Sequence, residues 1–268
     1  MKKLYVKLFA GEFGFELMRW QGCIRSIAKR YNYTVVECKE GHELLYEDFA
    51  NKIIRHKIVE AKKISCSVFV GKSKPIDNPI PTNGFDKIIF PCIEICDLQM
   101  DQTFIPLGKP DSHPGYDIII HARNDNRPVK YGNRNWPLEN WNQLVKNFSG
   151  KRIASIGSIK DSFYVNNTDD LRGTPLRLLA NIVCNSRICL GPSSGPMHFA
   201  SLCGCKHIVW TIKGKKFMKA GVRKQAETSR YRYEVSWNPL KTPVIVVDEY
   251  GWCPSVYVII EELKKCFG

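Results

Sequence analysis

Three short segments of this 268-residue chain carry the side chains with which it could do chemistry. The first runs Ala10-Gly11-Glu12-Phe13-Gly14-Phe15-Glu16. Its glycines permit close backbone approach of a ligand. Glu12 or Glu16 could act as general base on an acceptor hydroxyl, or simply complement a helix N-terminus. The second runs Gly191-Pro192-Ser193-Ser194-Gly195-Pro196-Met197-His198 into a helix. Free N–H groups backed by the helix dipole make such a start an anion site; the plainer reading is a Ser-capped helix. The third, Ala122 to Pro137, holds Arg123, Arg127, Lys130 and Arg134 in one loop. It could neutralise a diphosphate or be a solvated loop.

Each segment needs a scaffold that brings it to a common edge. Alternating strand and helix patterns predict one. Strands are expected over Lys3–Phe9, Tyr33–Cys38, Ser67–Val70 and Lys87–Phe90, with helices over Phe15–Tyr31 and Gly41–Ala50. Cys92 to Tyr116 has a linker composition, crowded with Pro and Gly. Strands then recur at Tyr116–His121, Lys151–Ile156, Arg187–Leu190, His207–Ile212 and Val244–Val247. Helices recur at Leu138–Phe148, from Thr174 with Pro175 in the first position, at Gly195–Cys203 and at Ser255–Phe267. This reads as an α/β chain of two Rossmann-like domains with parallel sheets facing one another. The expected boundaries are 1–113, 114–252 and a terminal helix, 253–268, packing back on the first domain. In open parallel sheets ligands lie beyond the carboxyl ends of the strands, where all three segments fall.

Composition narrows the class. Hydrophobic residues make up 44% and aromatic residues 11%, so the chain is globular. No apolar run reaches transmembrane length, and the stretch ending at Ala10 is too short for a signal peptide and reads as a buried strand. The eleven cysteines are odd in number and form no C-x-x-C pair, as expected of reduced thiols in a cytoplasmic protein. There is no G-x-G-x-x-G after the first strand and no G-x-x-x-x-G-K-[ST].

Three motifs, in order and spacing, resemble the heptosyltransferase-like glycosyltransferases of family 9. Asn135-Trp136-Pro137-Leu138-Glu139-Asn140-Trp141 resembles that family's W-P-x-x-x-W/F helix start. Leu171 to Ala180 resembles its L-x-G-x-x-x-L-x-x-L-A segment. Ser193 to Ala200, with Leu202 and Gly204, resembles its D-S-G-P-M-H-L-A-x-x-x-G signature. The resemblance implies a GT-B fold with a central cleft, a nucleotide-sugar donor held mainly by the second domain, and transfer without a metal or other cofactor. It implies donor phosphates on Ser193, Ser194, Gly195, Met197 and His198, with Lys130, Arg134 and Arg123 near the diphosphate and Gly157 and Ser158 near the nucleoside. The chain departs from the family at Ser193, where Asp is usual, and at Gly14-Phe15, where Gly-Asp is usual. Glu16 or Glu12 would then replace the missing acid.

The net charge of +14 is concentrated. Residues 1–30 carry +5, residues 121–134 carry +3 and residues 211–232 carry +7. The last exceeds what a diphosphate needs and points to a polyanionic acceptor met by Arg19, Lys213, Lys215 and Lys216. A glycan of the lipopolysaccharide type fits, with peripheral membrane contact. The alternatives are a hydroxylated base in DNA and a catalytically inactive nucleotide-sugar or glycan-binding module.

Overall fold

The computed structural model describes residues 1–63, 69–91, 101–125, 134–214, 216–219 and 222–268, with backbone alone over 60–63, 69–71, 216–219 and 222–227. The expectations for Arg127, Lys130, Lys215 and Ser67 fall outside the described residues. Two compact units emerge: Met1–Phe104 with Met218–Gln225, and Ile105–Phe217 with Ala226–Gly268.

The first unit holds a five-stranded sheet in the order β4-β3-β2-β1-β5. Its strands are β1 (Lys3–Val6), β2 (Tyr33–Lys39), β3 (Lys52–Lys63), β4 (Phe69–Pro75) and β5 (Lys87–Ile89). All neighbours pair in parallel except β4, which runs antiparallel to β3 at the edge. The crossover from β1 is helical from Phe13 to Ala28, with one π turn at Glu16–Trp20. Leu17, Trp20 and Ile24 are wholly buried, and Trp20 stacks on Phe9 at 5.4 Å. The helix expected over Gly41–Ala50 shrinks to a single turn, Glu43–Leu45. Long-range bonds explain this: the Arg25 guanidinium donates to the Leu45 carbonyl (3.0 Å) and pairs with Asp48 (2.7 Å).

The second unit holds a six-stranded sheet in the order β13-β10-β9-β6-β7-β8. These are β6 (Ile118–Ile120), β7 (Ile153–Ser155), β8 (Asp169–Asp170), β9 (Ile188–Pro192), β10 (His207–Trp210) and β13 (Val244–Val247). Every pairing in it is parallel. β6 reads Ile-Ile-Ile, as a strand buried on both faces should. β11 (Lys216–Lys219) and β12 (Val222–Thr228) form a separate ribbon. Helices Leu138–Asn147 and Val256–Lys264 share one core with β6, β9 and β10, built on Trp136, Trp141 and Trp210 with ring centroids 4.8–5.4 Å apart.

The terminal helix lies in the second unit, where Ile259, Ile260 and Leu263 complete the core. One expectation is corrected. Pro175 is the N-cap of helix Leu176–Cys184, not its first helical residue.

Candidate functional site

Because the second sheet is parallel, the loops after β6, β7, β9 and β10 share its carboxyl edge. His121 follows β6, Gly157 follows β7, and Ser193 and Ser194 follow β9. They meet around helix Gly195–Leu202.

Ser194 takes the N-cap position with an extended backbone, but its side chain does not cap. Its Oγ lies instead 3.0 Å from His121 Nδ1. The Ser194 N–H donates to the Tyr233 hydroxyl (3.1 Å), and that hydroxyl donates to Ser193 Oγ (3.2 Å). Arg134 donates to the Ser193 carbonyl (3.4 Å), and its guanidinium lies 4.7 Å from the Trp252 ring centroid. A phenol oxygen thus takes one of the N–H groups a helix start offers to an anion.

Burial governs protonation here. Burial, then the Arg123 charge, pushes His121 down to about 3. Burial, with Arg232 and His207 nearby, also holds His198 far below the usual imidazole range. Burial raises the Tyr233 phenol to about 12. The site therefore holds neutral imidazoles and a protonated phenol at neutral pH.

His198 and Met197 do not sit as phosphate ligands through their side chains. The His198 ring stacks on Tyr233 at 4.4 Å and meets Trp237 edge-on at 4.7 Å. Met197 is wholly buried, its sulfur packed toward Gly191. Among the described residues, the helix start offers an anion the backbone at Ser194, Gly195 and Met197, with Arg134 beside it. Arg123 pairs with Asp125, which offsets its charge.

Gly157, at φ +124°, packs where a Cβ would stand 2.1 Å from Ser162 Oγ and 3.0 Å from the His121 ring. It adjoins the site, whereas Ser158 is exposed and bonds within its own turn, to Asp161. Lys213 is exposed and pairs with Glu249 (3.3 Å). Lys216 begins β11.

In the first unit, the Glu12 carbonyl accepts from the Phe15 and Glu16 N–H groups and starts the helix. Arg19 lies in the π turn, partly buried. The Glu16 carboxylate is wholly buried. Its Oε1 accepts from Tyr46 (2.9 Å), and its Oε2 meets Lys39 Nζ (2.6 Å) and His42 Nδ1 (2.9 Å). Burial alone would raise its pKa; His42 and Lys39 outweigh that and hold it down to about 2. This placement corrects the expectation of a Glu16 base, since an acceptor hydroxyl has no route to a carboxylate so enclosed and so weakly basic. Lys39 also donates to the Gly11 carbonyl (3.1 Å), tying the loop to β2.

Tyr233, Trp252, His121, Lys39, His42 and Tyr46 were not among the residues the sequence marks. His121 and His42 carried one available signal, a histidine just past a strand end. Among the described residues, no three His, Cys, Asp or Glu side chains are grouped to hold a metal ion. No helix among them is long and apolar enough to cross a membrane.

No family model and no curated protein matches the sequence. Solved structures do match. A glycosyl transferase family 9 protein from Veillonella parvula superposes at TM-score 0.56 with 12% identity, over 99% of this chain and 97% of its own. ADP-heptose lps heptosyltransferase II of E. coli gives 0.57 with 13% identity, over 99% and 98%. TibC of enterotoxigenic E. coli, an iron-containing dodecameric glycosyltransferase, gives 0.53 with 10% identity, over 100% and 78%. At such identities the likeness is one of fold, and the fold of this chain is the GT-B-like α/β fold of the family 9 heptosyltransferase structures.

Proposed function

We propose that this protein is a glycosyltransferase that moves a sugar from a nucleotide-sugar donor to an acceptor hydroxyl. One observation carries the reading: at the carboxyl edge of a parallel sheet, the start of helix Gly195–Leu202 presents N–H groups beside Arg134, with a neutral phenol where a phosphate oxygen would be accepted. The donor diphosphate displaces the Tyr233 hydroxyl from the Ser194 N–H and takes Arg134 as its cation. Charge that grows on the leaving diphosphate is met by these fixed donors, without a metal. The whole-chain fold likeness supports the reaction class, and a structural neighbour named for ADP-heptose makes that donor the first to try. The free thiols support a cytoplasmic site of action.

The acceptor is a polyanionic glycan. Ribbon β11–β12 supports this: residues 216–228 hold Lys216, Lys219, Arg223 and Lys224 against Glu227 alone. A hydroxylated base in DNA is the competing acceptor, and salt-dependent retention on duplex DNA would favour it.

The test is a thermal-shift screen of ADP-, UDP-, GDP- and CMP-sugars, followed by transfer assays with and without a chelator. A bound donor at about 100 times its dissociation constant adds about 2.7 kcal/mol. No shift with any nucleotide-sugar would overturn the reading. Binding without turnover over a broad acceptor panel would make the protein a binding module.

A further inference from the structure

Ser194 is the N-cap residue of helix Gly195–Leu202, yet its hydroxyl leaves the cap open. A serine there ordinarily accepts from the N–H two or three residues on. Two residues on stands Pro196, which has no N–H, so Met197 is the one target. Ser194 Oγ lies instead 3.0 Å from His121 Nδ1. Among the described residues, the N–H groups of Gly195 and Met197 consequently have no hydrogen-bond partner, although Met197 is wholly buried. Buried N–H groups left in this state are rare and costly.

The His121 imidazole is built into its place. The residue is buried, and its backbone N–H donates to the Leu190 carbonyl of β9 (2.9 Å). The two strands that flank β6 make room for the side chain, β9 with Gly191 and β7 with Gly157 just beyond it. A Cβ on Gly191 would stand 3.2 Å from the His121 Cβ, and one on Gly157 3.0 Å from the ring. Whether the ring or the hydroxyl donates, the Ser194 oxygen is drawn off the helix start. Tyr233 holds the N–H of the same serine (3.1 Å) without touching this contact.

We propose that His121 is a positioning residue of the donor site: it holds the Ser194 hydroxyl away, so that the Gly195 and Met197 N–H groups stay open for a diphosphate oxygen. The inference rests on the glycosyltransferase reading above and adds a residue that acts through Ser194 rather than on the ligand. Without His121 the hydroxyl turns to Met197, and the protein caps its own anion site. Burial and the Arg123 charge keep His121 near 3, so the ring stays neutral and the device works alike at any pH above about 5.

The probe is inorganic pyrophosphate, titrated by calorimetry into the full chain. His121→Phe should bind it about five- to tenfold more weakly, since a capping bond must first be broken. His121→Leu, with a smaller side chain, should repeat that loss. Ser194→Ala should bind within about twofold of wild type. Either His121 variant combined with Ser194→Ala should return to that level, because no hydroxyl is left to compete. His121→Asn, whose amide can still hold Ser194, should keep wild-type affinity. A crystal structure of His121→Phe should place Ser194 Oγ about 3 Å from the Met197 nitrogen. A double variant as weak as its His121 parent reveals a merely structural loss and overturns the proposal. So does a tenfold loss in Ser194→Ala, which would make the hydroxyl a ligand contact, or a His121→Phe structure with Ser194 still off Met197. Failure of wild type to bind pyrophosphate or any nucleoside diphosphate overturns the donor-site reading beneath, and this role with it.

Discussion

Tyr233 reaches Ser193 and Ser194 from forty residues downstream, so its hydroxyl sets the starting state of the candidate donor site. An incoming phosphate competes with it. Tyr233→Phe should therefore bind nucleoside diphosphates about tenfold more tightly while losing about 1 kcal/mol of stability, read by calorimetry and denaturant melts. Arg134→Ala should weaken the same ligands ten- to a hundredfold with little change in Tm. Glu16 makes a different contribution. Its folded pKa of about 2 lies below the ordinary 4.5, so its ion pairs stabilise the fold above pH 4.5 and cease to as pH falls toward 2. Glu16→Gln should cost about 3 kcal/mol at pH 7, and the deficit should shrink across that window. At this scale, the helix start within Ser193–His198 was legible, because Ser and Gly-Pro before an apolar run specify a helix N-terminus locally. The enclosure of Glu16 was not legible, because Lys39, His42 and Tyr46 reach it from another strand and the turn beyond.

Among the elements, the tryptophan cluster shows how the second sheet is held. Trp141 is wholly buried against Trp136 and Trp210, and the Trp136 indole N–H donates to the Pro254 carbonyl (2.8 Å). Trp141→Ala should cost about 3–5 kcal/mol in a denaturant melt. Gly157→Ala should destabilise its loop and disturb His121, since neither the φ of +124° nor the space accepts a methyl. Helices Leu138–Asn147 and Gly195–Leu202 were legible from their apolar spacing and start signals. β3 was not. Its alternation is broken by His56, a polar residue at a buried position, held by Ser73 of β4 at 3.2 Å. The π turn at Glu16–Trp20 was equally hidden, since a single widened turn barely alters the apolar stripe.

Across the whole molecule, charge and protonation are distributed less simply than the sequence suggests. Of the basic excess in residues 1–30, Arg25 pairs with Asp48 and Lys7 with Glu37. In residues 211–232, Arg230 pairs with Asp248 and Glu234, and Lys213 with Glu249. These partners lie outside the two segments, so less of each segment's excess is free for an acceptor, while the net +14 already counts them. The second unit also buries neutral histidines. His121 is held near 3 and His207 near 4, both chiefly by burial, whereas an unfolded imidazole titrates near 6.5. Below pH 6.5 the unfolded chain binds protons that the folded chain refuses, so stability falls as pH falls. Those two groups alone should remove about 2 kcal/mol per pH unit between pH 6 and 4. Melts at graded pH should show this slope, and His207→Asn should flatten it by about half.

The division of the chain has a consequence for its synthesis. The first unit comprises Met1–Phe104 and also Met218–Gln225, with 113 residues of the second unit between them. A ribosome therefore releases most of the first unit early and its last piece only after β6 to β10 have been made. The sheet β4-β3-β2-β1-β5 can pair without that piece, yet the unit it belongs to is finished only late. Nascent chains stalled near residue 110 should accordingly be cut by protease more readily in their first hundred residues than chains stalled beyond residue 260.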